Sequence, residues 1–420
     1  MKILLSAYSC APDAGSEPSC GWNWAVQLAN LGNQVWCFTA ESNKQVILNK
    51  LKKYPVENLH FVFICLPSWL EKIKIKLSHF FPLAYIYYLI WQHYAFKVAK
   101  TKHDSIDFDI VHHVTFGSIQ LGSYMWKLPI PFIFGPVGGG EKVPDSLIKY
   151  SSSGVLRDGL RKLTSFIIMK VFKSTYATSQ ASLVLATSCD TADVAKSLEA
   201  KNVKLFLDCG VSSDFMPKVI PKREAKHSIN VLWVGRLLPQ KGLKLVLEVF
   251  KRLGKAHNIK LTIVGEGPMG RKYKSFVKKN NLQDVVNFAG TLQYEELKDY
   301  YLSHDILMFC PLRNAFGIQI LEAMACGLPV ITLDQHGAGT LIPEGVCIKV
   351  NPEDENLIDR LKEALVKLAG NREYRKRLSE SGLKYANKNS WPKKGERIMR
   401  EYQVLLESQM KKTKERLRLY

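Results

Sequence analysis

The sequence predicts an α/β protein with two doubly wound, parallel-sheet domains that face each other across a cleft. Short apolar runs of strand length alternate with helical segments along the chain. The alternation stops at a polar stretch with two prolines over residues 212–230, and then it starts again. The chain has 420 residues, of which 46% are hydrophobic, and this is enough for two to three domains.

These observations set the predicted boundaries. We expect an N-terminal Rossmann-like domain over residues 1–212 and a linker over residues 213–229. A second Rossmann-like domain follows over residues 230–388, and residues 389–420 form a last helix, from Ser390 to Glu407, with a basic tail.

The first strand is predicted from Lys2 to Ala7, and a helix from Trp22 to Leu31 follows a long loop. Gly32 ends this helix, and the next strand runs over residues 35–39. Ligands of such sheets bind outside the carboxyl ends of the strands. The sequence therefore predicts that the first loop lines the cleft, and an ordinary long connection is the alternative.

A second strand end carries two histidines. The run from Phe108 to His113 predicts a strand that ends in His112 and His113. Successive residues of an extended chain point to opposite sides, so only one of the two imidazoles can face the cleft. A single histidine of this kind is more often a structural residue.

Three successive glycines follow the strand predicted at residues 131–134, and they are Gly138, Gly139 and Gly140. Glycine allows backbone conformations that a side chain forbids. Their amides can form an anion nest, contact an acceptor, or belong to a plain turn. The last strand of this half is predicted at residues 182–186, and residues 205–210 are a candidate for one more.

The second half begins with a strand at residues 231–234, followed by Gly235 and Arg236. Lys241 then precedes a helix from Leu243 to Leu253. Two cations at a strand–helix junction can neutralise a diphosphate and stabilise it as it leaves.

The next unit contains a formal dinucleotide fingerprint. The strand at residues 261–264 is followed by GEGPMG, which starts at Gly265 and matches G-x-G-x-x-G. We exclude a dehydrogenase because the fingerprint lies late in the second half, Pro268 interrupts it, and no other segment suits hydride transfer. A strand at residues 286–290 leads to Thr291 and Leu292.

The stretch PLRNAFGIQILEAMACGLPVITL, residues 311–333, carries the strongest signal. It predicts a helix that Asn314 caps and whose first turn carries Gly317, so that open N–H groups face a ligand. Such a helix start attracts phosphate, and Glu322 one turn further on can accept bonds from sugar hydroxyls. We expect a loop over this site at residues 334–340, DQHGAGT.

This stretch resembles the signature of the retaining, GT-B-type group-one glycosyltransferases, the family that includes glycogen synthase and many bacterial polysaccharide enzymes. The family signature has two glutamates separated by seven residues; Glu322 matches the second, and Asn314 replaces the first. In the family, the first glutamate contacts the donor sugar and the second contacts the nucleotide ribose. The replacement by Asn314 therefore bears on the contact with the donor sugar more than on nucleotide binding.

The resemblance covers nearly the whole chain and implies the GT-B fold, with acceptor binding by the first domain and nucleotide-sugar binding by the second. It implies a diphosphate clamp of Arg236 and Lys241, beside Gly235 and the amides near Phe316, Gly317 and Ile318. It also implies that Gly15, Ser16 and Glu17 of the first loop approach the donor phosphate and the acceptor, and that Gly265 forms a turn beside the nucleotide. Further implied positions are Thr291 and Leu292 at the base and a last helix that crosses back. A histidine lies beside the donor sugar in the family, and His112 matches it more directly than its neighbour His113.

The formal net charge of +21 narrows the partners to nucleic acid or an anionic membrane surface. No nucleic-acid motif is present, so a membrane or a lipid-linked phosphate is favoured; a plain basic protein is the alternative. Basic, aromatic stretches at residues 67–103 and 156–172 predict either interfacial helices or core helices with solvated lysines. Nine cysteines without a C-x-x-C pair indicate reduced thiols and a cytoplasmic location.

The expected reaction is transfer of a hexose-type sugar from a nucleotide diphosphate sugar to a hydroxyl acceptor, with retention. The acceptor is a lipid-linked or glycan precursor of polysaccharide or glycolipid. No cofactor or metal is implied, because the two cations replace a divalent ion. The alternatives are a GT-B-type epimerase or hydrolase, a nucleotide-sugar-binding protein with weakened catalysis, and, from charge alone, a nucleic-acid-binding protein.

Overall fold

In the computed structural model, the protein contains two parallel sheets. The structure describes residues 1–70, 81–151, 174–212, 215–217, 219–220, 228–254 and 257–418. The first sheet has seven strands in the order β3-β2-β1-β4-β5-β6-β7, and the second has six in the order β10-β9-β8-β11-β12-β13. All strand pairs are parallel, which confirms the predicted α/β class. The basic stretch at 156–172 and most of the predicted linker lie outside the described residues.

The strands of the first sheet are β1 Lys2–Ser6, β2 Gln34–Ala40, β3 Leu59–Ile64, β4 Ile110–His113, β5 Phe132–Val137, β6 Leu183–Ala186 and β7 Val203–Leu205. Those of the second sheet are β8 Ile229–Val234, β9 Ile259–Val264, β10 Val286–Gly290, β11 Ile306–Met308, β12 Val330–Leu333 and β13 Ile348–Val350. Most of these strands are nearly continuous apolar runs, because helices cover both faces of a parallel sheet.

The helices of the first half are Ser16–Asn30, Lys44–Lys53, Phe81–Ile106, Ser174–Gln180 and Cys189–Ser197. Those of the second half are Leu243–Leu253, Gly270–Lys279, Tyr294–Ser303, Ile318–Ala325, His336–Leu341, Leu357–Gly370, Arg372–Lys388 and Trp391–Arg418. Short 3-10 helices occupy Glu41–Asn43, Tyr124–Lys127, Asp145–Tyr150 and Pro239–Lys241.

The first helix begins six residues before the predicted start. It runs from Ser16, with Gly15 in an extended conformation at the N-cap, and Glu17 lies in its first turn. An acidic side chain is favourable beside the helix N-terminus, and Pro18 fits there because first-turn N–H groups have no partner within the helix. The first loop is therefore shorter than predicted, and Glu17 lies at the start of the helix that follows it.

Three other expectations about local structure were wrong. Gly317, at φ 102°, is the N-cap of the helix Ile318–Ala325, so Asn314 lies three residues before the cap. Residues 336–341 form a short helix rather than a loop. The last helix also continues to Arg418, beyond the predicted end, so most of the basic tail is helical.

The described part of the first basic, aromatic stretch packs as a core helix. Within Phe81–Ile106, the side chains of Tyr87, Tyr88 and Trp91 are 7%, 0% and 1% exposed, and they pack in an apolar cluster. Lys97 is exposed on the other side. This arrangement favours the core interpretation for residues 85–103. No helix in the described ranges is both long enough and apolar enough to span a bilayer.

The long C-terminal helix packs against the first domain. The rings of Trp391 and Trp24 meet at a centroid distance of 5.5 Å, and Tyr402 and Ile398 are fully buried. The described C-terminal helix therefore connects the second domain to the helix Ser16–Asn30 of the first.

The sheet topology alone indicates where a binding cleft lies. In the first sheet, β1 pairs with both β2 and β4, and in the second, β8 pairs with both β9 and β11. The connections leave in opposite directions at these two points, and parallel sheets bind ligands in the crevice at the carboxyl ends of such strands.

Candidate active site

A cleft of about 370 Å³ lies at these switch points. The first domain contributes Glu17, Cys20, Val114, Gly117, Ser118, Pro136, Gly138, Gly139, Asp208 and Cys209. The second domain contributes Lys241, Asn314, Ala315, Gly317, Ile318 and Gln319. Nearly all of these residues follow the carboxyl end of a strand, so the two sheets present their loops to one shared space.

Lys241 is the cation on the wall of the second domain. Its Nζ donates a hydrogen bond of 2.9 Å to Oδ1 of Asn314. Burial lowers the pKa of Lys241, while the nearby carboxylate of Asp208 raises it. Gly242 holds this loop against β11, because a Cβ there would lie 1.8 Å from the carbonyl oxygen of Cys310. The ammonium is thus positioned in the cleft with a neutral amide as its hydrogen-bond acceptor.

Arg236 takes a different position. It follows β8 and is exposed, and it does not line the cleft. Its positive charge nevertheless contributes to the lowered pKa of Lys241, so the two predicted clamp residues are electrostatic neighbours.

The start of the helix Ile318–Ala325 forms the adjoining wall. Gly317 is required there, because a Cβ at its φ of 102° would lie 2.8 Å from Nδ2 of Asn314 and 2.9 Å from the ring of Phe309. The first N–H groups of a helix have no acceptor within it, and the residues that carry them, Ile318 and Gln319, line the cleft. Phe316, at 1% exposed, packs in the core instead.

Glu322 lies one turn further along this helix and is 4% exposed. Its Oε2 accepts a hydrogen bond of 2.9 Å from the hydroxyl of Tyr301. The carboxylate is therefore held next to the cleft, but it does not line it.

The two histidines of β4 do not line the cleft, contrary to the expectation. His112 is fully buried; its Nε2 donates to the carbonyl oxygen of Gly135 at 2.6 Å, and its Nδ1 accepts from the hydroxyl of Tyr402 at 2.7 Å. Burial lowers the pKa of His112 to about 3. His112 therefore joins the sheet to the C-terminal helix as a neutral imidazole.

His113 is equally buried, and burial lowers its pKa to about 4. Its Nε2 lies 3.3 Å from the hydroxyl of Tyr88, on the helix Phe81–Ile106. Val114 is the first residue after β4 that lines the cleft. The imidazoles face the helical layers because β4 is a central strand with helices on both faces.

The triple glycine does not form an anion nest. Its three amides donate, in order, to Gly117 O at 2.9 Å, Glu141 Oε2 at 2.8 Å and Thr191 Oγ1 at 3.1 Å. Gly138 and Gly139 line the cleft, whereas Gly140 packs so closely on the next helix that a Cβ would lie 2.6 Å from its backbone. Glu141 fixes the turn, because its Oε1 also accepts from Ser188 and Thr191.

Asp208 is a site residue that the sequence analysis missed. It follows β7, and it lines the cleft opposite Lys241. Its Oδ1 is buried without a hydrogen-bond partner among the described residues. Burial raises the pKa of Asp208, while the thiol of Cys209 and the charge of Lys394 lower it. It lies three residues beyond the end of β7, and an acid close to a strand end was the available signal.

Glu17 is the second carboxylate on this wall. One of its oxygens accepts a hydrogen bond from the backbone N–H of Phe116, which fixes the side chain across the β1 and β4 loops. Burial raises the pKa of Glu17 despite the backbone donors. The first domain therefore presents carboxylates where the second presents a cation and helical amides.

Several predicted donor positions lie away from the cleft lining. Gly15 is exposed with φ −83°, a conformation that any residue adopts. Gly265 packs on Gly235, where a Cβ would lie 2.1 Å from the carbonyl oxygen, so GEGPMG starts as a structural turn. Thr291 is exposed and Leu292 half-buried just after β10.

The two domains also meet beside the cleft. Nδ1 of His336 lies 2.9 Å from Oδ2 of Asp190, and this hydrogen bond lowers the pKa of Asp190. The amide of Gly337 donates to the carbonyl oxygen of Ala315 at 2.8 Å. The short helix at residues 336–341 therefore links the Ala315 loop with the first domain. Within the described ranges, no group of three or more His, Cys, Asp or Glu is placed to hold a metal ion.

A known family model matches the second half of this chain. Residues 217–385 match the family model described as Glycosyl transferases group 1. An uncharacterized glycosyltransferase of Methanocaldococcus jannaschii is 27% identical over 71% of this chain and 76% of that protein. The gpi3 subunit of phosphatidylinositol N-acetylglucosaminyltransferase from Schizosaccharomyces pombe is 25% identical over 49% of this chain, and the match spans only 45% of that subunit.

Solved structures are similar over almost the full chain. Sucrose-phosphate synthase from Thermosynechococcus elongatus has a TM-score of 0.69 at 19% identity, covering 97% of this chain and 100% of that one. Anabaena HepE in complex with UDP has a TM-score of 0.62 at 14% identity, covering 96% and 100%. These likenesses confirm the GT-B fold that the signature predicted.

Proposed function

We propose that this chain, whose residues 217–385 match the family model described as Glycosyl transferases group 1, transfers a hexose-type sugar from a nucleotide diphosphate sugar to a hydroxyl acceptor with retention. The convergence of Lys241 and the start of the helix Ile318–Ala325 on one wall of the cleft carries the proposal. A cation and open helical amides together suit a diphosphate. Structures of the similar Anabaena HepE contain UDP and UDP-glucose, which supports the donor class.

In this proposal, Lys241 and the amides of Ile318 and Gln319 hold the diphosphate, and Arg236 approaches it from the exposed rim. The bond between the anomeric carbon and the diphosphate oxygen breaks, and its electron pair stays on the diphosphate. The acceptor oxygen bonds to the same face of that carbon, and its proton passes to the released diphosphate. The positive charges stabilise the leaving group as negative charge develops on it, without a metal ion.

Asn314 changes the charge balance rather than removing the site. A glutamate at this position would bring a negative charge to Lys241, whereas the amide oxygen of Asn314 orients the ammonium at 2.9 Å without neutralising it. The carboxylates that bind sugar or acceptor hydroxyls then come from the opposite wall, as Asp208 and Glu17. Asp208 suits this role because no group among the described residues donates a hydrogen bond to its buried Oδ1.

The remaining assignments complete the donor site. Glu322 accepts a bond from the ribose while Tyr301 orients its carboxylate. The segment after β10, with Thr291 and Leu292, contacts the base, and Gly235 and Gly265 keep its neighbouring loops close. His112 and His113 position β4 instead of contacting the sugar, because protein groups surround both rings.

We further propose a lipid-linked or glycan acceptor at a cytoplasmic membrane face. The formal net charge of +21 supports this, because anionic lipid surfaces attract basic proteins. The name of the Schizosaccharomyces pombe relative, which refers to phosphatidylinositol, also supports a lipid-linked acceptor.

A donor panel tests the function. Thermal shift with UDP- and GDP-sugars identifies a stabilising donor, and product analysis follows with that donor alone and with a polyprenyl phosphate sugar acceptor. We expect sugar transfer only when the acceptor is present, with the configuration at the anomeric carbon unchanged. Conversion of the donor without an acceptor would instead indicate a hydrolase or an epimerase. Binding without turnover would indicate a nucleotide-sugar-binding protein.

A further inference from the structure

A second cavity, of about 480 Å³, lies where the end of the first sheet meets the C-terminal helices. Leu205, Phe206 and Leu207 form one side, and the next residue, Asp208, lines the cleft instead. The segment 341–346 of the second domain and the helices Arg372–Lys388 and Trp391–Arg418 form the other sides. The cavity is therefore separate from the cleft and is built by both domains.

Three cations line this cavity, and no carboxylate does so among the described lining residues. Lys384 and Lys388 come from the helix Arg372–Lys388, and Arg397 comes from the last helix. Both lysines are exposed, and none of their contacts is an ion pair within the described residues. Such a concentration of one charge attracts anions.

Arg397 gives the second, independent observation. Its Nη2 donates to Oδ1 of Asn389 at 2.9 Å, which fixes the guanidinium beside the cavity. Its Nε is buried without an acceptor in the described part of the chain. A buried donor without a partner costs free energy that an acceptor from a ligand would recover, and guanidinium groups suit phosphate and carboxylate oxygens.

The part of the wall next to Arg397 is apolar. Leu205 is 43% exposed, Phe206 lies under the guanidinium at 5.2 Å from ring centroid to Cζ, and Val346 also lines the cavity. An inorganic anion would satisfy the cations but would leave this wall in contact with water. A ligand that carries an apolar chain next to its anionic group covers both surfaces.

We propose that this cavity binds a phosphate group attached to an apolar chain, at a site distinct from the sugar-transfer cleft. The phosphate lies between Arg397, Lys384 and Lys388, and the chain lies on Leu205, Phe206 and Val346. Because both domains contribute to the cavity, occupancy favours the domain arrangement seen in this structure.

Calorimetric titration of the full-length protein tests the proposal, with a saturating concentration of UDP to occupy the cleft. Octyl phosphate, inorganic phosphate and octanol are the probes. We expect octyl phosphate to bind about tenfold more tightly than inorganic phosphate, and octanol to bind weakest. Equal binding of the two phosphates would assign the site to free phosphate, whereas preferential binding to phosphatidylcholine vesicles that contain phosphatidic acid would assign it to a lipid headgroup.

Three variants locate the binding. Lys384→Gln and Lys388→Gln change exposed side chains, so they preserve the fold, and together they should weaken phosphate binding about tenfold or more. Arg397→Gln should weaken it further. Lys376→Gln is the matched control, because Lys376 is exposed on the same helix but outside the cavity. Wild-type protein that does not bind octyl phosphate, or equal losses in the control and the double variant, would overturn the proposal.

Discussion

The two walls of the cleft differ in how the chain builds them. The wall of the second domain comes from two nearby loops, in which Lys241 and Asn314 are hydrogen-bonded and Gly317 starts the next helix. The wall of the first domain collects Glu17, Val114 and Asp208 from three loops that are far apart in sequence. Two motifs, each local in sequence, therefore supply the donor side, and the sheet topology assembles the opposite side.

The largest effect is expected from breaking the donor-side wall. Lys241→Ala should lower kcat by about 10²–10³-fold, because it removes a half-buried cation from the point where charge develops on the leaving group. Steady-state kinetics with the donor found in the panel measure this effect. Lys251→Ala is the control, since Lys251 is exposed on the adjoining helix. Turnover close to the wild type in Lys241→Ala would remove the clamp from the mechanism.

His112, in β4, lies behind the wall of the first domain and does not line the cleft. The pKa of His112 is about 3 in the folded protein and near 6.5 in the unfolded chain, so the unfolded state binds more protons between these values. Stability should therefore fall as the pH drops from 6.5 toward 3, and this residue should contribute on the order of 4 kcal/mol to the fall. Urea unfolding across this pH range measures the slope.

His112→Gln should be less stable at pH 8, and its unfolding free energy should depend less on pH below 6.5. Some dependence should persist, since burial also lowers the pKa of His113, to about 4. His93→Gln is the control, because His93 is exposed on the helix Phe81–Ile106. A slope identical to that of the wild type in His112→Gln would show that the imidazole does not determine acid stability.

The wall of the first domain should respond more mildly. Asp208→Asn keeps the shape of the side chain but removes its negative charge, so we expect kcat/KM to fall about tenfold through weaker binding of a substrate hydroxyl. The same assay with Asp193→Asn, an exposed acid elsewhere in this domain, provides the control. An increase in KM for the UDP-sugar alone would assign Asp208 to donor binding instead. An unchanged kcat/KM would exclude Asp208 from the site.

The contrast between the walls also explains what the sequence could predict. The helix Leu243–Leu253 and the strand Val286–Gly290 were predicted at both ends, since their apolar patterns and glycine stops are local signals. The cation and the helix start each belong to a motif that is local in sequence, so each was found from its own stretch of the chain. Asp208 was missed because nothing in the sequence around it shows that the segment after β7 reaches the cleft.

Two further misses have the same cause. The sequence places His112 and His113 at a strand end, but only the packing of the helices on β4 decides whether the rings face the cleft or the core. The three glycines suggested an anion site because the acceptors of their amides, such as Glu141 and Thr191, are fixed by folding that lies beyond the turn. Long-range contacts decide both outcomes.

The smallest predicted effect concerns the contact that joins the two walls. His336 and Asp190 form an interdomain hydrogen bond of 2.9 Å, and Asp190 is substantially exposed, so solvent screens the pair. Asp190→Asn should therefore lower the free energy of unfolding by only about 0.5–1 kcal/mol, measured by urea unfolding near neutral pH. Asp193→Asn on the same helix is the control, because Asp193 pairs, within the described part of the chain, with the exposed Lys196. A larger loss confined to Asp190→Asn would mean that this contact holds the domains together, since a screened surface pair cannot supply several kcal/mol by itself.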